Sequence, residues 1–560
     1  MADSPVLRQG DLRPAVLRSM KSQGIDAELT LDILNAWNGG RYRSARREGI
    51  ADFPVPDKET VLDMTRFDGY TVPEKDAAER LSPLVPGIRP RDFARSAGGG
   101  NLHFPARSLQ TIGRLLFPYV SFGILNGGSA TSYCDTKKNA ALNGELFELL
   151  KDTFMAAAAF ARGKPKGISP AYANPDGSPG YSFLELKLRR LLLEARLWRT
   201  AADRRPEACS GAGAGTIAGS GAAFGAGSGP RDFRGTGLYP LAPVFQMTSV
   251  FTSRQTGEAL DSYQKSPLLE NLIAETGIDI TRVRTGVQPL IAAFTHSQEG
   301  ERRGIFTRAW GKEDSVLGLP GGHGQNFFVL RDVYRGLLGD GKRFVYLGNA
   351  DNLGFVPDPV SLAVLALSGK PAGFEFAFKT AVDTKGGVLV RDSGGRLTCA
   401  DIGAALSAGD IEAAEKAGKP ILFNAATGLF DLEYLVTHLE EIREGIPLRW
   451  SDQDKDAGRY SQAEQVTWEI MGLLPDPLIF GVNKFRRFLA AKLLLESLIT
   501  SGLGLESRDF PLELQELARS LHGGFVWNME HVFGMKRSGG GWAASEESGG
   551  SGDDDDDDTG

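Results

Sequence analysis

Cysteine is scarce in this chain: Cys134, Cys209 and Cys399 are the three it has in 560 residues. Their spacings fit no metal knuckle, and an odd, sparse set excludes a secreted disulfide framework while suiting a reducing cytosol. Long apolar runs are missing as well. No stretch of 18 apolar residues occurs, and the N-terminal MADSPVLRQGDLRP has no apolar signal core, so neither a membrane span nor a signal peptide is expected. A soluble, cytoplasmic protein with no membrane partner is the expectation. Charge of one sign is also short. The net charge is −7, but six aspartates sit together at Asp553 to Asp558, and without them the balance is about −1. A nearly neutral body excludes a broad nucleic-acid surface.

What is present describes an ordinary globular chain, 41% hydrophobic and 24% charged, long enough for two or three structural units. Residues 1–115 read as an N-terminal helical extension. The apolar run Val120–Leu125 reads as a buried strand ending in Asn126-Gly127-Gly128. Helical patterns follow near 143–162 and 182–203. Gly, Ala and Ser dominate 209–230, an insertion that can bury little. Beyond it, strand-like runs at Pro243–Met247, Phe344–Gly348, Phe374–Phe378, Val388–Val390 and Ile421–Phe423 alternate with helical stretches at Phe327–Leu338 and Val360–Ser368. That alternation predicts an α/β sheet covered by helices. Residues 499–536 read as a C-terminal helical segment, and 537–560 as a disordered acidic tail.

Three turns carry the chemistry. LNGGSATSYCDTKKN (Leu125–Asn139) places a glycine pair after a strand, where main-chain N–H groups can approach phosphate oxygens and lysines can neutralise them. GNADNLG (Gly348–Gly354) puts Asp351 at a strand end, a sensible place for Mg²⁺ or simply a turn cap. LPGGHGQNFFVL (Leu319–Leu330) brackets His323 with glycines. Each alone has a plain structural reading.

Together, in this order, they resemble the UDP-glucose pyrophosphorylase family, the UTP-dependent sugar nucleotidyltransferases. GGHGQNF is similar to the family's Pro-Gly-His-Gly-Asp element, and FVYLGNADNLG to its Asn-x-Asp-Asn-Leu-Gly element. FEFAFKTAVDTKGGVLV (Phe374–Val390) resembles its Lys-Thr-x-x-Asp-x-Lys-Gly-Gly stretch, and ILFNAATGLFDL its Phe-Asn-Thr-Asn-Asn-Leu-Trp segment. The resemblance implies a Rossmann-like (GT-A-like) α/β fold, a mixed sheet flanked by helices, with a catalytic unit over 116–498. The family's glucose branch usually adds a C-terminal β-helix; its absence is expected here from the sequence itself, since 68 residues follow Lys492 and their last third is low-complexity. The resemblance also implies transfer of a uridylyl group from UTP to glucose 1-phosphate, with Mg²⁺ as cofactor. UTP and a sugar 1-phosphate would be the partners; the oligomeric state stays open. An N-acetylhexosamine 1-phosphate as substrate, or a non-catalytic sugar-nucleotide-binding role, are the alternatives.

The family's site residues carry over one by one. Leu125, Asn126, Gly127, Gly128, Gly322 and Asn349 would hold the nucleotide, with Gln288 on the uracil edge, where an amide can donate and accept. His323, Asn424 and Lys379 would meet the sugar phosphate, and Asp351 the metal. The family's loop lysine falls at Asn139, so Lys137 or Lys138 would take its place. Lys492, in FRRFLAAK, matches a lysine that contacts the reacting phosphates, here on an expected helix. Departures stand at Ser129, Ala130, Asn139, Ala426 and Ala490.

Overall fold

The computed structural model describes residues 6–40, 50–130, 133–203, 244–296, 302–380, 383, 386–402 and 406–545. The 209–230 insertion and the aspartate run lie outside them. Eleven strands form the main sheet: β1 (Ile50–Asp52), β2 (Val61–Asp63), β3 (Val120–Leu125), β4 (Val244–Ser249), β5 (Arg284–Gln288), β6 (Phe344–Asn349), β7 (Ala372–Phe378), β8 (Gly387–Asp392), β9 (Leu397–Asp401), β10 (Leu422–Asp431) and β11 (Leu478–Val482). The main path runs β2-β11-β7-β10-β6-β3-β4-β5, with β8 joining β1, β9 and β10 at the side.

Every neighbouring pair on that path is parallel except the two made by β10, which runs against both β6 and β7. Strands buried on both faces favour apolar runs; β3 (VSFGIL) and β4 (VFQMTS) are buried at every position, and the polar Gln246 of β4 is hydrogen-bonded to Asn126 and Thr285. Helices cover the sheet. Pro359–Ser368 is nearly all buried and is capped by Asp358, whose carboxylate accepts from Val360 and Ser361 N–H. Phe183–Asp203 runs beneath the same core, with Leu184, Leu188 and Leu192 at 0% exposure. The alternation of strands and helices predicts the helix-covered α/β sheet, and the family resemblance its mixed character; both are found. Among the described residues, no helix is long and apolar enough to cross a membrane.

Three expectations change. Helices Pro14–Ser22 and Ala27–Asn38 occupy the N-terminal stretch, but β1 and β2 there join the main sheet, and Gly69–Pro73, Arg95–Gly98 and Asn101–Pro105 form a small antiparallel sheet. This stretch therefore contributes two strands to the main sheet as well as helices. The segment around Lys492 is no continuous helix: Lys484–Arg487 and Leu494–Thr500 are separate helices. Between them Ala490 bridges Asn352, and Leu489 O accepts from Leu353 N–H at 3.1 Å. Within the expected tail, Met535–Ser538 and Gly541–Ala544 close a hairpin, and Trp542 packs edge-on against Phe525 at 5.9 Å.

Candidate active site

The carboxyl ends of β3, β4, β5 and β6 lie along one edge of the sheet. From β3 the chain passes to β4 on one side, and β6 comes in on the other, so a crevice is expected where β3 and β6 part. Leu125 and Asn349, the last residues of those strands, are register partners. The glycine turn and the acidic turn thus leave the sheet side by side, and Ala350 N–H donates to Leu125 O at 3.1 Å.

A cleft of about 350 Å³ opens there. Leu125 to Ser129 form one wall, Asn349 to Asp351 another, and Gln288, Gly322 and His323 a third. The glycine turn, the acidic turn and the His turn converge.

Its hydrogen bonds explain its shape. Asn126 is buried, and its amide joins Gln246 Oε1 at 3.2 Å and Gly167 N–H at 3.2 Å, so this side chain ties down the turn from behind. Ser249 Oγ donates to Gly127 O at 3.0 Å. The segment 164–167 then lies along the loop: Ala130 N–H donates to Lys164 O, and Lys166 N–H to Gly128 O, both at 3.0 Å. A Cβ on Gly167 would strike the Asn126 side chain, so only glycine lets the two segments meet. This contact delivers Lys166 into the cleft, where its ammonium pairs with Asp351. The sequence reading missed Lys166. Its signal was the Lys-Pro-Lys-Gly of residues 164–167, nearly forty residues beyond the glycine pair.

On the third wall, Gly322 has φ +82°, and a side chain there would run into the Gln465 backbone. Gln465 fixes the turn, donating its N–H to Gly321 O at 3.0 Å and accepting Gly324 N–H at 2.8 Å. Gln288, 5% exposed, donates its amide to Gly322 O at 2.7 Å and Gln325 Oε1 at 3.0 Å. Both N–H groups are thereby engaged within the protein, and Oε1 is left standing beside Gly127. It can accept from a ligand.

His323 Nδ1 accepts the Thr467 N–H at 3.2 Å and lies 2.8 Å from Thr467 Oγ1. An accepting Nδ1 makes the ring neutral, with its proton on Nε2. Burial pushes the pKa down to about 4, the Arg449 charge adds to this, and Asp351 opposes it. The folded value lies below the unfolded one of about 6.5. Stability from this group is therefore complete above pH ~6.5 and is lost as the pH falls towards 4, by up to about 3 kcal/mol. In urea titrations at pH 7 and pH 4.5, the wild type should lose about 2 kcal/mol more than His323→Gln.

The remaining sequence candidates are not among the residues that line this cleft. Lys137 and Lys138 are exposed on the helix Thr136–Leu142 and do not line the cleft. Asn139, at the position of the family's lysine, is fully buried and serves packing: its amide donates to Tyr133 O and Asp135 O and accepts Leu495 N–H. Lys492 is exposed, just ahead of the helix Leu494–Thr500. Lys379 pairs with Glu415 at 2.8 Å. Asn424 shapes a bulge in β10, accepting Ala426 N–H at 2.8 Å while Ala426 takes φ +52°.

Comparison with known proteins now bears on this cleft. Residues 299–492 match the family model described as UTP--glucose-1-phosphate uridylyltransferase. The matched segment includes the His turn and the acidic turn; the glycine turn, Lys166 and Gln288 precede it. A curated relative, UTP--glucose-1-phosphate uridylyltransferase 2 of Dictyostelium discoideum, is 35% identical over 77 residues, which are 13% of this chain and 15% of that protein. The solved uridine diphosphate N-acetylglucosamine pyrophosphorylase of Trypanosoma brucei is 15% identical with a TM-score of 0.53, covering 91% of this chain and 85% of that one. The UDP-glucose pyrophosphorylase of Leishmania major is 14% identical with a TM-score of 0.49, over 86% and 77% of the two chains. At such identities the Trypanosoma likeness speaks for the fold alone, which is the mixed sheet flanked by helices described above.

Proposed function

We propose that this protein is a uridylyltransferase that forms UDP-glucose and pyrophosphate from UTP and glucose 1-phosphate. One observation carries the reading: the glycine turn, the acidic turn and the His turn meet in one cleft at the carboxyl edge of the sheet, with Lys166 between them.

A phosphate oxygen of the sugar phosphate attacks the α-phosphorus of UTP. The bond from that phosphorus to the α–β bridging oxygen breaks, and pyrophosphate leaves with the electron pair. No covalent intermediate on the protein is needed, so the demands are charge neutralisation and in-line placement. The N–H groups of the glycine turn and the Lys166 ammonium supply fixed positive charge for the phosphates. Among the described residues no cluster of three metal-ligating side chains occurs. Mg²⁺ is commonly held by one or two carboxylates plus substrate phosphates, so Asp351 alone fits it. There Mg²⁺ would neutralise phosphate charge. Lys166 and Asp351 pair with each other across the cleft; on binding nucleotide and metal, each would turn to its own charge partner.

Gln288 Oε1, with its amide N–H groups already spent, suits the N3–H of uracil and repels the bare N3 of cytosine. UTP should be preferred to CTP, and Gln288→Ala should narrow that preference by about 10- to 100-fold in kcat/KM. Parallel assays with both nucleotides decide it.

The deciding experiment is a panel of sugar 1-phosphates with UTP and Mg²⁺, scored for pyrophosphate. Release with glucose 1-phosphate supports the proposal. Release only with N-acetylglucosamine 1-phosphate transfers it to the substrate named for the Trypanosoma structure, and nucleotide binding without release with any sugar removes the catalytic claim.

A further inference from the structure

The acidic turn rests on a buried cation that the reaction as described does not use. Lys187, on the helix Phe183–Asp203, is 1% exposed. Its Nζ donates to Asn352 O at 2.5 Å and Phe355 O at 2.9 Å, and lies 5.0 Å from the centre of the Phe355 ring. Both acceptors are main-chain carbonyls of the turn that begins with Asn349 and Asp351. Burying an ammonium against carbonyls is costly, and burial holds the Lys187 pKa down at about 7. A leucine would pack at that helix position at lower cost.

The rest of the turn shows what the cation adds. The Asn352 side chain reaches across it, donating to Arg487 O at 3.0 Å and accepting Gly354 N–H at 3.0 Å. On the outer side Ala490 bridges Asn352. From beneath, Lys187 draws two carbonyls, three residues apart, to a single point. That gathers the peptide planes after Asp351 into a tight loop, with Asp351 at its cleft-facing rim.

We propose that Lys187 is a positioning residue: by clamping Asn352 O and Phe355 O it fixes the acidic turn so that the Asp351 carboxylate meets the triphosphate side of the cleft. The inference rests on the uridylyltransferase reading for its kinetic consequence but not for its structural one. Lys187 touches no substrate; it acts through the backbone of its neighbour.

Two variants test this, Lys187→Met, which keeps length without donors, and Lys187→Gln, which keeps a neutral donor. In the full-length protein, well below the melting temperature, Lys187→Met should lower kcat about 10- to 100-fold and raise the Mg²⁺ concentration for half-maximal rate by a similar factor. KM for UTP should stay within about twofold, because the glycine turn and Gln288 are untouched. Lys187→Gln should recover part of both losses. Amide hydrogen exchange across 349–355 should rise in Lys187→Met while that of β7 and β10 does not. Folded variants with unchanged kcat and Mg²⁺ dependence, or with exchange raised evenly everywhere, overturn the proposal. If Lys187→Met does not fold, Lys187→Gln decides by the same measures. Should the wild type make no UDP-sugar at all, the functional reading falls, and hydrogen exchange alone decides whether Lys187 holds the turn.

Discussion

Lys166→Met should reduce kcat/KM about 10³-fold, a loss of roughly 4 kcal/mol in transition-state stabilisation, the size seen when one preorganised donor is removed from a developing anion. Most of it should fall on kcat, since charge accumulates on the phosphates as the bond to the leaving pyrophosphate lengthens. Lys166 is held by the pairing of its own backbone with Gly128 O and by the seat of Gly167 on Asn126. Shortening its side chain therefore should not disturb the loop. Both members of the Lys166–Asp351 pair are open to the cleft on one side, with side-chain exposures of 16% and 18%. Water can replace the lost partner, so stability should fall by no more than about 2 kcal/mol. Steady-state kinetics beside urea unfolding of the same preparation separate the two effects; equal loss in Lys137→Met or Lys138→Met and none in Lys166→Met would overturn the assignment.

Asp351→Asn should be as severe, roughly 10³-fold or more in kcat, by loss of the metal-holding carboxylate. The amide is nearly isosteric, and the turn's own hydrogen bonds come from Asn352 and Gly354, so the fold should be kept. A further signature follows from the pairing: Asp351→Asn leaves the Lys166 ammonium without its carboxylate, so the cleft becomes more positive and free UTP without Mg²⁺ should bind tighter than to the wild type. The double variant should lose far less than the product of the two single losses, because the residues act on the same triphosphate. Pyrophosphate release, Mg²⁺ titration and metal-free UTP binding give three independent checks; wild-type turnover in Asp351→Asn would sink the metal assignment.

The central strands could be read from the chain because burial on both faces selects mostly apolar residues. Val120–Leu125 was legible to the residue. β10 was seen only as far as Phe423, because Ala425, Ala426 and Gly428 carry little strand preference; neighbours on both sides and a bulge carry the strand on to Asp431. The N-terminal strands were hidden by brevity, at three residues each for β1 and β2. Near Lys492, Phe488 to Leu498 has helix-like spacing, but the bridge from Ala490 to Asn352 claims the backbone first. In the site, the residues on the three turns were legible because glycine, histidine and aspartate punctuate strand ends. Lys166 was not, since the contact that brings it in is made through Gly167 and Asn126, and no local spacing reports a contact between segments so far apart in sequence.

The register between β3 and β6 has a last consequence. Leu125 and Asn349 act as a common starting line, so the gap between phosphate cradle and carboxylate is ruled by strand length and not by loop length. Deleting one residue inside either strand would swing its turn to the opposite side of the sheet and shear the two apart by about 3.3 Å.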